Sequence, residues 1–430
     1  MGSYWAINLG ELSNKFTWPR AINKAGVVSG WLDGNGAFRR KSGTLNSLPT
    51  PAGAGYAEGL GINNNAPEKI VGHVGASWVA PAENGTAALW DDGQYVDLHK
   101  HLKSVYSEAS DINDDGIVVG QADGHAFRLD TKTQQLSMIL GGKITQSKAV
   151  AVNSLGNTAG VASIADAPLS AFLYDGSVHI LPSLGGQMSW DFPLGINDWN
   201  NVAGGCNTGL GKMHAFYYDH STATTLDIHR EGLPRSRATS INNSNVVVGS
   251  LWEPMGGSES LMTAMIWRPG EEMQELGGLV SNAAGWHFDN AAAINDLGDI
   301  VGTGHYLGYP AGFILIAAKI GRLAEDIGLP TLVADNVIGL IHGGSGFIFL
   351  PGSGPVPVDP APFHEWESFS PQERDVVTGV AIHNMAKTIS DKQLREKVEA
   401  CGLETIQNAV DRLVGNVNQK GSDLHSGSRQ

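Results

Sequence analysis

Short apolar runs alternate with turn-forming residues along most of this chain. In the segment AAAINDLGDIVG at residues 291–302, small and apolar residues lead into an Ile-Asn pair, a tight turn and a second apolar run that ends in Gly. Runs of this length, bounded by Asn and Gly, are typical of two strands joined in a hairpin. The pattern therefore predicts a repeated β-hairpin, because it occurs seven times between residues 20 and 302. Its Asn lies at Asn23, Asn63, Asn113, Asn153, Asn197, Asn242 and Asn295.

The turn of each hairpin carries a residue suited to a left-handed backbone. Four copies read Asn-x-x-Gly, and two others carry Asn200 or Asn245 in place of that Gly. Asn is the non-glycine residue that best tolerates this backbone conformation, so we expect the same turn in both groups. The second copy, INNNAPEKIVG at 62–72, has a longer turn.

Two further strands are predicted after each hairpin. The third strand begins with a small residue followed by a bulky one, and the fourth often ends in Leu-Gly, as in MILGG at 138–142. The hairpin Asn residues are 40 to 53 residues apart, and four short strands in such a period are the signature of a propeller blade. The small–bulky pairs are Ala37-Phe38, Ala87-Ala88, Ala126-Phe127, Ala171-Phe172, Ala215-Phe216, Ala264-Met265 and Gly312-Phe313.

The two ends of the repeat region predict how the ring of blades closes. The segment YWAINLGEL at 4–12 resembles a fourth strand, whereas the seventh repeat supplies only three strands before it stops near Ala317. A strand from the start of the chain would complete the last blade and leave no free sheet edge there. The predicted fold is therefore all-β: a seven-bladed β-propeller of four-stranded blades over residues 1–317, closed by the N-terminal strand.

The repeat resembles a known family. INxxGxVxG, followed by a small–bulky pair and a Leu-Gly strand, is similar to the HAF-type repeat, which is usually described as extracellular. The likeness covers roughly residues 3–317, and His125 and His214 begin the two copies that keep the literal His-Ala-Phe. The resemblance implies a β-propeller-like fold, and it implies no catalytic residues that could be carried over.

The remaining chain leaves this pattern. Residues 318–362 hold two apolar runs, which predict an extra hairpin, and a Gly/Pro-rich linker, PGSGPVPVDPAP, which is unsuited to regular structure. Residues 363–430 are predicted to form a small C-terminal α-helical appendage with a disordered tail, because Ser370-Pro371-Gln372-Glu373 reads as a capping box. We expect these helices to serve assembly, by self-association or by binding a partner. The alternative is a bundle that packs on the propeller.

Composition and charge narrow the classes of function. The net charge of −15 argues against a nucleic-acid partner, since phosphate binding needs concentrated Lys and Arg. The two cysteines, Cys206 and Cys401, are too few for a disulfide framework. No apolar run is long enough for a membrane helix, and no secretory signal is visible. We therefore expect no membrane association and a cytoplasmic location for the chain as written, or an extracellular one if a leader has been removed.

The candidate ligand-binding residues come from one set of loops. In a four-stranded blade, the loops between strands two and three and those between consecutive blades lie at the same end of the propeller, and these loops are rich in Trp with nearby His and carboxylates. Wide aromatic rings in such loops suit a glycan, peptide or protein ligand. The alternative is that the Trp side chains fill gaps between blades. The candidates are Trp18, Trp31, Trp78, Trp190, Asp191, Trp252, Trp286, His287 and Asp289.

The leading hypothesis is thus a non-catalytic recognition or scaffold propeller without a cofactor. The alternative is a hydrolase or lyase with a His/carboxylate site in the central funnel, with or without a metal ion. His73 and His305 are weak metal candidates because they follow second strands near the channel, whereas His125 and His214 are expected to hydrogen-bond within their own blades. No catalytic or nucleotide-binding motif occurs in a supporting context.

Overall fold

A computed structural model gives the fold of most of the first 317 residues and of two short strands beyond them. The residues it describes are 4–12, 15–34, 36–41, 44–76, 85–139, 144–164, 168–185, 191–208, 212–232, 235–254, 260–280, 283–317, 347–349 and 355–357.

The chain divides into two compact units. The larger unit, Ala6–Lys41 with Leu45–Ile316, contains nearly all residues of the seven sheets of the predicted propeller. The described part of the smaller unit beyond residue 317 is one antiparallel pair, Phe347–Phe349 with Pro355–Pro357. Its second strand belongs to the segment predicted as an irregular linker. The predicted helices of residues 363–430 and their tail lie outside the described residues.

Each blade is an antiparallel sheet, and blades 1 to 7 follow in chain order. The first strands are Lys15–Ile22, Tyr56–Ile62, Ser107–Ile112, Ile144–Val152, Asp191–Ile196, Ser236–Ile241 and Trp286–Ile294. The second strands are Val28–Leu32, Lys69–Gly75, Ile117–Ala122, Thr158–Ile164, Val202–Asn207, Val247–Pro254 and Ile300–Tyr306. The third strands are Gly36–Lys41, Thr86–Asp91, His125–Asp130, Ser170–Tyr174, Met213–Asp219, Ser260–Trp267 and Tyr309–Ala317. The fourth strands are Thr44–Ser47, Gln94–Asp97, Leu136–Met138, Val178–Ile180, Thr224–Asp227, Gln274–Glu275 and, in blade 7, Tyr4–Asn8.

The two helices of the described chain are short. An α-helix, His99–Leu102, follows blade 2, and a 3₁₀ helix, Leu276–Leu279, follows blade 6. Among the residues described here, no helix is long and apolar enough to cross a membrane. The all-β, seven-bladed prediction is confirmed for this part of the chain.

The N-terminal segment takes part in two blades. Tyr4–Asn8 lies beside Tyr309–Ala317 as the outermost strand of blade 7, and the Leu9 amide donates to the Gly312 carbonyl at 2.9 Å. Glu11–Leu12 then pairs with the start of the first strand of blade 1, which becomes five-stranded. The sequence predicted the closing strand, and the pairing with blade 1 adds a second attachment.

The small and bulky residues of the third strand pack in opposite directions: Ala126 of blade 3 belongs to a cluster shared with blade 4, and Phe127 to one shared with blade 2. The bulky ring is fully buried at Phe38, Phe127 and Phe172, and the Ala before it has almost no exposed surface. In blade 3, the Ala126 amide donates to the Ser147 hydroxyl of blade 4 at 2.9 Å. Blades 2 and 5 make the same contact to their successors. The small residue is therefore needed for close approach between blades, and the bulky one fills the core.

The Asn of each hairpin joins its own turn to the next blade. In blade 3, Asn113 Oδ1 accepts the Ile117 amide at 2.9 Å, and its Nδ2 donates to the Asn153 carbonyl of blade 4 at 2.9 Å. The other six Asn side chains repeat this pattern. The last, Asn295, donates to the carbonyl of Asn23 at 3.0 Å and so closes a ring of seven buried amides. The inter-blade contacts are those of Asn23, Asn63, Asn113, Asn153, Asn197, Asn242 and Asn295.

The first strands line a central channel. All seven carry a β-bulge three residues before the hairpin Asn. In blade 3 the residue after this bulge is Asp111, whereas the equivalent residues are Ala, Gly or Ser in the other blades. Asp111 accepts the Ile112 amide at 2.8 Å and the Val152 amide of blade 4 at 2.9 Å. Gly61 of blade 2 leaves room for it, because a Cβ there would lie 2.7 Å from Asp111 Oδ1.

Asp111 is expected to make stability depend on pH. Burial raises the pKa of its carboxyl to about 7, although the two backbone amides oppose this shift. Between the unfolded value of 3.8 and about 7, the folded protein therefore holds the extra proton. It follows that this group's contribution to the free energy of unfolding falls as the pH rises through that window.

This dependence can be measured by urea unfolding of Asp111→Asn and the wild type from about pH 4 to about pH 8. We expect the stability difference between the two proteins to shift in favour of the variant as the pH rises. Asp115→Asn, at an exposed turn carboxylate, is the control and should follow the wild-type pH profile. Parallel profiles for the wild type and Asp111→Asn would show that Asp111 keeps an ordinary pKa.

Candidate functional site

The candidates divide according to where the structure places them. Trp78 and Trp190 lie outside the described residues, and Asp191 is described only as the first residue of strand Asp191–Ile196. Trp18, Trp31, Trp252, Trp286, His287 and Asp289 lie within strands rather than in loops.

These strand residues form cross-strand pairs near one end of the propeller. Trp18 is opposite Trp31 in blade 1, and His287 is opposite His305 in blade 7. These residues are not in loops because the first and second strands extend beyond the repeat motif and remain paired with each other there. Cross-strand neighbours on one face interact directly, so strand positions hold these side chains more firmly than loops would.

The residues that the structure brings together on blade 7 are called the blade 7 patch. Its members are Trp286, His287, Asp289, His305, Tyr306, Leu307 and Tyr309. Trp286 stacks on the buried Phe288 with ring centroids 5.4 Å apart and lies 4.9 Å from the ring of Tyr306. The indole is thus held by two aromatic neighbours while remaining partly exposed.

Asp289 connects the two imidazoles of the patch. Its Oδ1 lies 3.3 Å from His287 Nε2, and its Oδ2 lies 3.1 Å from His305 Nδ1. Asp289 occupies a second β-bulge in the first strand of blade 7. Burial raises the pKa of its carboxyl, and the two imidazoles oppose the rise. The histidine side chains are about half exposed, at 51% and 46%, so a ligand can reach them.

A hairpin tip beside these residues is apolar and exposed. Leu307 and Tyr309 are 67% and 70% exposed, respectively. The turn has φ values of +53° at Leu307 and +86° at Gly308, as a tight two-residue hairpin requires. Sequence reasoning missed this tip, although a Leu-Gly turn between two Tyr residues in YLGY was a readable signal, since turns are usually polar.

A second cluster, the ion-pair cluster, joins blades 1 to 4 and was also missed. It consists of Arg20, Glu58, Glu108 and Lys148, with two Tyr residues beside the carboxylates. Arg20 pairs with Glu58, and Lys148 Nζ lies 2.6 Å from Glu108 Oε1. The sequence could have predicted this cluster, because Glu58, Glu108 and Lys148 occupy equivalent positions in their strands, five residues before the hairpin Asn.

His73 lies between this cluster and the predicted Trp residues. Its ring is 5.3 Å from Tyr56, which is 6.2 Å from Trp31, which in turn is 5.9 Å from Trp18. His73 is 4% exposed, and burial lowers the pKa of its imidazole. The Nε1 atoms of Trp18 and Trp31 are also buried. This aromatic row resembles packing between blades more than an open binding surface.

The metal and histidine predictions can be placed on the same structure. Within the described ranges, no group of three or more His, Cys, Asp and Glu residues has a geometry that could hold a metal ion. His73 and His305 lie on different blades, blade 2 and blade 7. His214 Nδ1 lies 2.8 Å from Asp227 Oδ2 in its own blade, as expected, and its ring stacks on His229 at 3.9 Å.

Comparison with known proteins adds little beyond the architecture. No protein-family model matches the chain, and no curated protein matches it in sequence. The solved structures that align with it include the extracellular domain described for a one component system of B. thetaiotaomicron, at 9% identity and a TM-score of 0.43, covering 72% of this chain and 39% of that one. The propeller domain of the Trilobed protease from Pyrococcus furiosus aligns at 12% identity and a TM-score of 0.42, covering 70% and 95%.

TolB from Acinetobacter baumannii aligns at 12% identity and a TM-score of 0.33, covering 57% of this chain and 63% of that one. At these identities and TM-scores, none of the three structures carries an argument about function. The propeller assignment rests on the seven sheets themselves.

Proposed function

We propose that this propeller is a non-catalytic recognition module that binds a glycan through the blade 7 patch. The observation that carries the proposal is that one end of blade 7 carries both an anchored, partly exposed indole and a half-exposed His-Asp-His group, on neighbouring residues of the same two strands. An aromatic ring offers the apolar face of a sugar a stacking platform, while imidazole and carboxylate groups exchange hydrogen bonds with its hydroxyls.

The surroundings of the patch support a ligand larger than one sugar ring. Leu307 and Tyr309 extend the apolar surface at the hairpin tip. Trp252 lies on the neighbouring blade 6, and its strand packs against the first strand of blade 7. A chain-like ligand could therefore contact blades 6 and 7 at once. A peptide or protein partner fits the same surface and is distinguished by the binding experiment.

A hydrolase or lyase is the second candidate, and one observation favours it. Asp289 combines a raised pKa with two adjacent imidazoles, which is an arrangement that general acid–base catalysis uses. Turnover of any glycan that binds, lost in Asp289→Asn while binding persists, would replace recognition by catalysis as the function.

Trp286→Ala is expected to weaken glycan binding about tenfold, equivalent to about 1.4 kcal/mol. The physical reason is that the stacking surface disappears while Asp289 and the two histidines stay in place. A glycan array would identify the ligand, and isothermal titration with that ligand would compare the variant with the wild type. Trp199→Ala is the matched control, because this exposed Trp lies on the hairpin turn of blade 5, at the other end of the first strand. Unchanged affinity in Trp286→Ala would remove the blade 7 patch from the proposal.

Other parts of the function remain proposals as well. We infer that the repeat belongs to the HAF type, which is supported by the burial of the small–bulky pair in its third strands. The C-terminal helices would serve assembly, and that segment lies outside the described residues. The location, cytoplasmic or extracellular, stays a prediction, and an extracellular one fits a glycan ligand.

A further inference from the structure

The end of the channel opposite the blade 7 patch also carries exposed apolar surface. Trp199 of blade 5 and Leu155 of blade 4 are 66% and 67% exposed. They occupy the same position in adjacent hairpin turns, two residues after the Asn. The equivalent position holds Asp115 in blade 3 and Ser244 in blade 6, as expected for turn tips in water. We call Leu155 and Trp199 the turn patch.

Trp199 is held in one orientation despite its exposure. Its indole Nε1 donates to the Asn243 carbonyl of blade 6 at 3.0 Å, and its backbone amide donates to Asn197 Oδ1 at 3.1 Å. A large aromatic ring whose Nε1 is already hydrogen-bonded, on a backbone that is itself held in the turn, loses little conformational freedom on binding, which is the property of an anchor residue at an interface.

The turn patch follows directly on residues that line a cavity at the channel mouth, because Ser154 precedes Leu155 and Asp198 precedes Trp199. The cavity has a volume of about 420 Å³, and the residues that follow each hairpin Asn form its rim. The rim residues are Lys24, Asn64, Asp114, Ser154, Asp198, Asn243 and Asp296. A volume of this size accommodates a long side chain or a small ligand.

The charge of the rim selects the kind of occupant. Its three carboxylates accept hydrogen bonds from backbone amides and from Asn side chains: Asp198 from the Ser154 amide at 2.9 Å, and Asp296 from the Asn243 amide at 2.9 Å. Across the part of the chain that is described, none of the three forms an ion pair. One lysine faces three aspartates, so the mouth favours a cation, and the face of Trp199 adds a cation–π surface.

We propose that this end of the propeller binds a basic peptide segment of a partner protein. A Lys or Arg side chain enters the cavity toward Asp198 and Asp296, and an apolar side chain next to it contacts Trp199 and Leu155. A peptide meets both requirements because it carries a cation and an apolar group at adjacent positions. The surface is separate from the proposed glycan site, which lies at the other end of the first strands.

The test uses the full chain and two acetylated, amidated hexapeptides, one with two Lys residues flanking a Leu and one with Glu in place of each Lys. The Lys peptide is expected to bind saturably, and the Glu peptide is expected not to bind. Trp199→Ala should weaken the Lys peptide about tenfold, and Asp296→Asn about threefold. Raising the salt from about 0.05 M to about 0.5 M should also weaken it several-fold, because exposed charges are screened.

The control is Trp286→Ala, which should bind the Lys peptide as the wild type does. Equal binding of the Lys and Glu peptides, or unchanged affinity in Trp199→Ala, overturns the proposal. Binding of a neutral sugar at this end, lost in Trp199→Ala while no peptide binds, overturns it as well. Trp199→Ala should keep the wild-type urea midpoint, since the ring is mostly exposed, so a loss of binding is not attributable to unfolding.

Discussion

Replacing Asn113 by Asp is expected to lower the free energy of unfolding by about 3 kcal/mol at neutral pH. The Asp would keep the oxygen that accepts the Ile117 amide, so the hairpin turn itself would survive. Its second oxygen would replace the Nδ2 that donates to the Asn153 carbonyl, bringing a buried negative charge against an acceptor. The variant therefore removes the link between blades 3 and 4 and leaves the turn in place.

The measurement is urea unfolding followed by Trp fluorescence at about pH 7.5 and about pH 4.5. The loss should be smaller at the lower pH, because a protonated carboxyl can again donate to the Asn153 carbonyl. Asn63→Asp is the matched comparison within the ring. Asn63 Nδ2 lies 3.5 Å from the Asn113 carbonyl, so a weaker link is removed and the loss should be smaller. Equal losses in the two variants, at both pH values, would contradict the role given to the amide ring.

Lys148→Met is expected to cost about 2 kcal/mol at neutral pH, less than the loss of a fully buried pair, because Lys148 is partly exposed. Glu108 would be left with a nearly buried carboxylate and no cation. Burial by itself raises the pKa of Glu108, but the Lys148 ammonium, the nearby His73 and the hydrogen bond from Tyr106 together hold the pKa below its usual range. Removing the ammonium should therefore raise it.

The sign of the pH effect distinguishes this interpretation from simple loss of packing. In the wild type, the depressed pKa of Glu108 contributes stability above the ordinary value of 4.5, and this stability is lost as the pH falls through the folded pKa. In Lys148→Met the deficit should shrink as the pH falls toward about 5, because the unpaired carboxyl takes up a proton.

The double variant Lys148→Met/Glu108→Gln provides the control for Lys148→Met. It removes the uncompensated charge, so most of the stability lost in Lys148→Met should return. Urea unfolding at several pH values gives the free energy of unfolding of the wild type, the single variant and the double variant. A double variant as unstable as the single one would show that packing of the Lys148 stem, and not the charge of Glu108, is responsible.

The number of blades was predictable because the repeat is local in sequence. Each hairpin needs only an apolar run, an Asn-containing turn and a second run within about a dozen residues. The left-handed backbone conformation of Asn200 and Asn245, which replace the turn Gly, was also predictable: their φ values are +62° and +58°. The contacts of these two side chains with another blade were not predictable. The side-chain oxygens of Asn200 and Asn245 accept amides from the preceding blade, and contacts between blades are absent from a local pattern.

The candidate binding residues also separate what a local pattern predicts from what contacts between blades decide. Trp18 and Trp286 both lie in a first strand, five and nine residues before the hairpin Asn, and the sequence predicted both for one binding surface. In the structure Trp18 belongs to an aromatic row that ends at the buried His73, whereas Trp286 lies beside half-exposed histidines and an exposed hairpin tip. Their surroundings differ because different blades supply them.

The sequence by itself determined the repeat, the hairpin turns, the number of blades and the strand that closes the last blade. These depend on backbone propensity and on the alternation of polarity within short segments. Only the tertiary structure decided that the seven Asn amides form a closed ring, that Glu108 meets Lys148, and that Asp289 joins two histidines. Those contacts join residues about 40 positions apart or lie at irregular β-bulges, where position in the ring of blades sets the neighbours of a side chain.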